Sequence, residues 1–265
     1  MYGAELKTPE FAYLLAAVNA QTVVGVDDPE LFPADSSTSD AVLSAGREGL
    51  EVHGWLKPVE HSPNEFQLDS LLFEAATIVA APDFIIATTH DSEEGERQLL
   101  LHYLSGGEIV ELSATAERTY RIGVLLDEDA LHERIAHMLR VTPSALQGQF
   151  RLSESNFTSI LTMSHNGVGE DAVEILKSAG VDSIAGASFV AALGSPVSGQ
   201  IVIISQRYGE IEAGRRALVF GEGDGAWMLK RVGAASEDYE VENCDADTIQ
   251  ALVTKWKKEL VATIG

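Results

Sequence analysis

Apolar residues recur along this chain at helical spacing, then at alternating spacing, then at helical spacing again, and the chain runs through that order twice. Phe11, Leu14, Leu15 and Val18 share one helical face behind Thr8, which predicts an N-cap at Thr8 with Pro9 in the first turn. Gln21 to Ser39, with Pro29, Pro33 and an Asp-Ser-Ser-Thr-Ser tract, predicts a loop. A second helix is expected over Asp40 to Trp55, stopping at Gly54. A third runs through Leu68, Leu71, Leu72, Ala75 and Ile78 and closes at Pro82. The period then drops to two. Phe84 to His90, Arg97 to Ser105, Glu108 to Ala114 and Tyr120 to Leu125 predict four strands. Ser105-Gly106-Gly107 marks a tight hairpin, so the strands form an antiparallel meander. Asp127 then opens a helix that carries Leu131, Ile135, Met138 and Leu139 on one face.

The second pass repeats this order. Helices are expected at Phe157 to Met163, at Glu170 to Ala179 before Gly180, and at Ile184 to Leu193 before Pro196. Strands follow at Gln200 to Gln206, Arg215 to Gly221, Ala226 to Val232 and Tyr239 to Asn243. Asp245 opens a last helix striped with Ile249, Leu252, Val253, Trp256 and Leu260. Phe84-Ile85-Ile86-Ala87 and Ile201-Val202-Ile203-Ile204 are apolar on both faces and belong in central positions. Leu6 to Leu15 aligns without gaps on Leu152 to Leu161 at an offset of 146 (152 − 6). Arg97, Ile109, Asp127, Leu131, Ile135 and Met138 align on Arg215, Trp227, Asp245, Ile249, Val253 and Trp256 at 118 (245 − 127). The fall in offset places extra residues in the first copy, with Gln21 to Asp40 the expected place. An α+β fold follows: two pseudo-twofold-related halves, residues 1–145 and 146–265, each with helices, a four-stranded antiparallel meander and a closing helix.

The 265 residues carry 18 Lys and Arg against 41 Asp and Glu, a net charge of −23. That charge argues against a nucleic-acid partner. It suits plain solubility or adaptation to salt more readily than it marks a basic or weakly charged protein partner. No signal peptide is predicted at the start, and no apolar run approaches the roughly 20 residues that cross a bilayer, so a cytoplasmic protein without a membrane partner is expected. One cysteine, Cys244, rules out an internal disulfide and a cysteine-based metal cage.

No catalytic constellation emerges. The seven histidines, His53, His61, His90, His102, His132, His137 and His165, are scattered; His132 and His137 are five apart and so miss the i, i+4 spacing of a zinc pair. Gly221-Glu222-Gly223-Asp224-Gly225 lies between two strands and would aim two carboxylates at a phosphate, so it is read as a turn. Gly186-Ala187-Ser188 lacks the second glycine of a nucleophile elbow, Ser164-His165 is only a neighbour pair, and Asp127-Glu128-Asp129 sits at a helix start. Cys244 precedes a helix N-terminus, a place that can lower a thiol pKa, but no base stands near it in sequence. No catalytic residue, metal ligand or cofactor is assigned.

With these features placed, the chain resembles the EspG family, cytosolic chaperones of ESX (type VII) secretion. The resemblance rests on Ala4-Glu5-Leu6-Lys7-Thr8-Pro9-Glu10-Phe11, on Leu50-Glu51-Val52-His53-Gly54-Trp55-Leu56, on Ala80-Ala81-Pro82-Asp83-Phe84-Ile85-Ile86, and on Gly214-Arg215-Arg216-Ala217-Leu218-Val219-Phe220 followed by Gly225-Ala226-Trp227. It implies a quasi-twofold α+β fold and a non-enzymatic chaperone or adaptor that holds an apolar helical segment of a client, PPE-like in that family. The family's client-contacting loop between sheet strands would correspond here only to the short turn Ser105, Gly106, Gly107 and Glu108. Two other readings stand beside it: a scaffold or regulatory binding protein of the same fold, and an enzyme whose site is assembled only by folding.

Overall fold

A computed structural model describes residues 2–60, 62–115, 118–144, 148–207, 210–233 and 236–264. His61 and the 145/146 boundary between the expected halves lie outside the described residues. The chain opens with β1 (Tyr2–Lys7), α1 (Thr8–Ala17), α2 (Ser36–Val52), the strands β2 (Leu56–Val59) and β3 (Ser62–Leu68), and α3 (Ser70–Ala80). Next come β4 (Phe84–Asp91), β5 (Arg97–Ser105), β6 (Glu108–Ala114), β7 (Thr119–Leu125) and α4 (Glu128–Met138). Then follow β8 (Gln149–Ser153), α5 (Glu154–His165), α6 (Gly169–Ser178), α7 (Ser183–Leu193), β9 (Ser198–Arg207), β10 (Glu210–Phe220), β11 (Trp227–Arg231), β12 (Asp238–Asn243) and α8 (Ala246–Ile264). The class is α+β, with helices packed on antiparallel strands.

The chain divides into two compact units. The first comprises Met1–Ile85, Leu100–Glu128 and Ser205–Glu212, the second Ile86–Leu99, Asp129–Ile204 and Ala213–Gly265. In the first unit the antiparallel pairing runs β1-β7-β6-β5. Alternation along β1 buries Ala4 and Leu6 and leaves Gly3, Glu5 and Lys7 outside. That strand was not expected, because two buried positions running straight into a helix are too short a signal for period two. The N-cap of α1 is Lys7 rather than Thr8. The buried Glu10 carboxylate accepts from the Lys7 N–H at 2.6 Å, while the Thr8 hydroxyl donates to the Arg118 carbonyl at 3.1 Å.

Helix α2 begins at Ser36, inside the stretch expected to be loop, because Asp35 serves as its cap and accepts from the Thr38 N–H at 2.8 Å. Its end agrees with expectation: Gly54, at φ 74°, takes the left-handed conformation that stops the helix. Helices α1 and α2 approach so closely that a Cβ on Gly46 would overlap the Pro9 carbonyl. The β2–β3 hairpin was also unexpected, since Pro58 and Pro63 demote the run; as a two-stranded ribbon it tolerates them.

In the second unit the pairing runs β10-β11-β12-β8. One face of these strands packs on α5, α6 and α7 through a core that includes Phe157, Ile160, Leu176, Phe189, Leu193, Trp227, Leu229 and Val241. Trp227 is fully buried, with Phe150 and Phe189 rings at 5.7 and 5.6 Å and its indole N–H donating to the Ser188 hydroxyl at 3.1 Å. Asp245 caps α8, accepting from the Thr248 N–H at 2.9 Å, and Ile249, Leu252, Val253, Trp256 and Leu260 are buried along it.

The two units repeat one local arrangement. Leu6 pairs with Tyr120 across β1 and β7, and the Tyr120 ring meets Phe11 at 4.7 Å. Leu152 pairs with Tyr239 across β8 and β12, and the Tyr239 ring meets Phe157 at 5.2 Å. Helices α1 and α5 begin 146 residues apart (154 − 8), and α4 and α8 begin 118 apart (246 − 128). The extra residues of the first copy do not all fall between Gln21 and Asp40. Eighteen residues separate α1 from α2 where three separate α5 from α6, and seventeen separate α2 from α3 where four separate α6 from α7. The excess is shared between the loop and the β2–β3 hairpin.

Candidate functional site

Ser105, Gly106, Gly107 and Glu108 form the β5–β6 turn, with Ser105 paired to Glu108 and both glycines at positive φ (60° and 95°). The Asp83 carboxylate accepts from the Ser105 hydroxyl at 3.1 Å and from the Gly106 N–H at 3.2 Å, so the turn is pinned from below. It is exposed at Gly106, Gly107 and Glu108 and presents no apolar side chain.

Most of the polar groups weighed in the sequence serve the fold. The Ser164 hydroxyl donates to the Ile160 carbonyl of its own helix, and Ser188 is held by Trp227. Gly221 to Gly225 connects β10 and β11, and the Gly223 N–H donates to the Arg140 carbonyl at 2.8 Å. His102 lies buried 3.2 Å from the Glu111 carboxylate, and His53 stacks on Trp55 and sits 3.4 Å from Glu10. Burial, followed by the charge of Arg140, pushes the His90 imidazole below its ordinary value. Cys244 is buried, and that burial pushes its thiol far above the usual range, the opposite of what its place before α8 suggested. Among the described residues no group of three or more His, Cys, Asp or Glu could hold a metal ion, and no helix is long and apolar enough to cross a membrane.

The feature that stands apart is a cleft in the second unit of about 480 Å³. The register of β10 and β11 ends at Ala217 opposite Lys230, and Gly214 to Arg216 and Arg231 to Gly233 flank the opening beyond that pair. Its apolar lining is the buried Leu229 and, from α8, Trp256, the half-buried Leu218 and Tyr239, and the exposed Val232. The walls are basic: Arg215, Arg216, Lys230, Arg231 and Lys255, against only Glu240 and Glu259. Five of the 18 lysines and arginines of a chain of charge −23 thus meet in one place, three of them facing the carboxylates of Glu154, Glu240, Glu242 and Glu259.

The five cations differ in how far they are spent. Lys230, 9% exposed, is held by Glu242 and lies 3.6 Å from Glu240. Arg215 is 3.8 Å from Glu259, a loose pair. Arg231 is 3.4 Å from Glu154 and lies over the Tyr239 ring at 5.5 Å. Arg216 and Lys255, both exposed, have no ion pair among the described residues. Such a site offers cation-lined apolar surface and no nucleophile with a base. It can bind a group that is partly apolar and partly anionic. From the sequence, Arg215 enters the repeat alignment and opens an expected strand, and Arg216 enters only within a resemblance. The available signal was two basic pairs, Arg215-Arg216 and Lys230-Arg231, on consecutive strands of a chain poor in cations.

No protein-family model matches the sequence, and no curated protein matches it. The backbone is similar to EspG5, a type VII secretion system chaperone of Mycobacterium tuberculosis whose structure was solved in complex with a PE25–PPE41 dimer. The TM-score is 0.65, with 94% of each chain covered and 11% sequence identity. This chain has an EspG-like fold. At that identity the likeness is one of fold.

Proposed function

We propose that this protein is a cytosolic, non-enzymatic chaperone or adaptor that binds a protein client of a type VII secretion system, a PPE-like protein in the first instance. The observation that carries this reading is the backbone likeness to EspG5 across 94% of both chains, since EspG5 was solved holding such a client. The cleft is consistent with it: apolar lining stands beside exposed cations, and its lining residues include no nucleophile beside a base. The exposed turn Ser105 to Glu108 is proposed as a further client contact. We also propose that residues 1–145 and 146–265 arose by duplication; the matching element offsets and the repeated Leu-Tyr-Phe arrangement support that descent. Co-expression with the PE–PPE pairs of the source genome, followed by size-exclusion chromatography with light scattering, tests the function. A stable complex with at least one pair is expected, and failure to retain any pair would overturn it.

A further inference from the structure

The two units treat equivalent surfaces differently. In the first unit the face around Tyr120 is covered by the long connection between α1 and α2. The Tyr120 hydroxyl donates to Asp28 at 2.6 Å, the Tyr103 hydroxyl donates to the Val24 carbonyl at 2.8 Å, and Gly25 lies against Leu101. Val23 and Leu31 of that connection are buried, and Glu30 pairs with Arg118. The covering segment therefore interleaves aliphatic side chains with carboxylates: Val23, Val24, Val26, Asp27, Asp28, Glu30 and Leu31.

In the second unit the corresponding face is only partly covered: where Leu101, Tyr103 and Tyr120 are buried, Leu218, Phe220 and Tyr239 are half-buried, although Leu229 is buried against α5, α6 and α7. Tyr239 occupies the register position of Tyr120, each pairing with the leucine of the strand before the first helix. Counted by pairing from Tyr120 and Tyr239, Leu218 and Leu229 take the places of Leu101 and Leu112, one residue away from the 118 offset of the sequence alignment. Only three residues join α5 to α6, too few to reach across. Where the first unit has its own acidic, aliphatic strap, the second has the cleft, which carries a stacked Arg231 and exposed Arg216 and Lys255 that have no ion pair among the described residues.

We propose that this cleft takes an acidic, aliphatic-interspersed extended segment of a protein partner, seated as the 21–31 connection is seated in the first unit. The inference rests on the client-binding reading and names the chemistry of the segment bound. Aliphatic side chains cover the half-buried Leu218 and Tyr239, and carboxylates meet Arg216, Arg231 and Lys255. At physiological salt the Debye length is about 8 Å, so the cleft's cations govern binding at contact range while the chain's remote acidic charge is largely screened.

The test uses the intact chain and a fluorescein-labelled peptide with the sequence Ala20 to Phe32, beside the same peptide with every Asp and Glu replaced by Asn and Gln. Fluorescence anisotropy should show the acidic peptide binding at least tenfold more tightly than the neutral one. Arg216→Gln with Lys255→Gln, two exposed positions, should weaken it at least fivefold at an unchanged melting temperature. No binding by the acidic peptide, equal binding of both peptides, or an indifferent double variant would overturn the proposal. Retention of a PE–PPE pair by a double variant that has lost the peptide would support both readings, with the client held partly elsewhere. Retention of a PE–PPE pair together with an indifferent double variant would sink the cleft and leave the chaperone reading standing.

Discussion

Alanine at Gly46 should destabilise the chain although it improves the helix. In an exposed helix interior, alanine gains about 0.8–1 kcal/mol over glycine. Gly46 lies in α2 where a Cβ would overlap the Pro9 carbonyl and crowd the Tyr13 Cβ. A backbone carbonyl cannot rotate away as a side chain can, so α1 and α2 must separate, loosening buried Leu50 and its neighbours. Overpacking of this kind costs about 1–3 kcal/mol, and more where backbone is the obstacle. The net loss should be about 1–2 kcal/mol. Gly186 supplies the control: it is also helical, but its added Cβ would meet Leu176 carbon atoms at 3.5 Å, ordinary contact distance. Gly186→Ala should therefore stabilise by up to about 1 kcal/mol. Urea unfolding followed by far-ultraviolet circular dichroism reads both. A Gly46→Ala midpoint at or above that of the parent would refute the close approach of α1 to α2.

Trp227→Ala removes a fully buried indole from the aromatic group with Phe150 and Phe189 and should cost about 3–5 kcal/mol, read as a lowered urea midpoint; an unchanged midpoint would refute that packing. The Cys244 thiol, buried and raised in pKa, should resist Ellman's reagent at pH 8 in the folded chain and react fully in denaturant; rapid labelling of the folded chain would contradict its burial. Hydrogen bonds from Thr38, then Ser37, hold the Asp35 carboxyl at about 2 against an ordinary 3.8, so its stabilising contribution is complete above the ordinary value and is lost as pH falls toward 2. Asp35→Ala should flatten that part of the pH–stability profile, and an identical profile would remove the cap. Replacing residues 20–34 with a three-residue linker exposes the surface now covered by Val23 and Leu31, and should cost several kcal/mol at roughly 1.5–3 kcal/mol per buried aliphatic side chain; unaltered stability would mean the connection is not seated.

What could be read in the sequence was whatever one element decides for itself. The α8 stripe of Ile249, Val253, Trp256 and Leu260 is a 3.6-residue pattern with an aspartate cap, and both appear in the structure. Gly54 and the Ser105 to Glu108 turn were legible because positive φ leaves few residues to choose from. Strands β1 and β8 were hidden because their pairing is settled more than eighty residues away, at β7 and β12. Glu10 gave no sign of burial, since its partners, the Lys7 N–H and His53, come from a local turn and from the end of another helix. The cleft was illegible for the same reason. Its residues lie on β10, β11, β12 and α8, and only pairing places Arg216 near Arg231.

The difference between the two units is what gives the chain an address for a partner. If both carried a long connection after their first helix, both tyrosine faces would be covered, and the basic residues of β10 and β11 would have an internal acidic strap to meet. The second unit has three residues in that place, yet it keeps the cations. Arg216 and Lys255, exposed and without an ion pair among the described residues, do nothing visible for the stability of their own unit, and exposed charges of this kind contribute little to folding in general. In a chain with 41 acidic residues, neutralising these positions would cost little and leaving them unpaired has no structural return. An acidic segment supplied from outside accounts for the half-buried Tyr239 and Leu218 and the unspent cations together. The first unit already holds such a segment within the same chain.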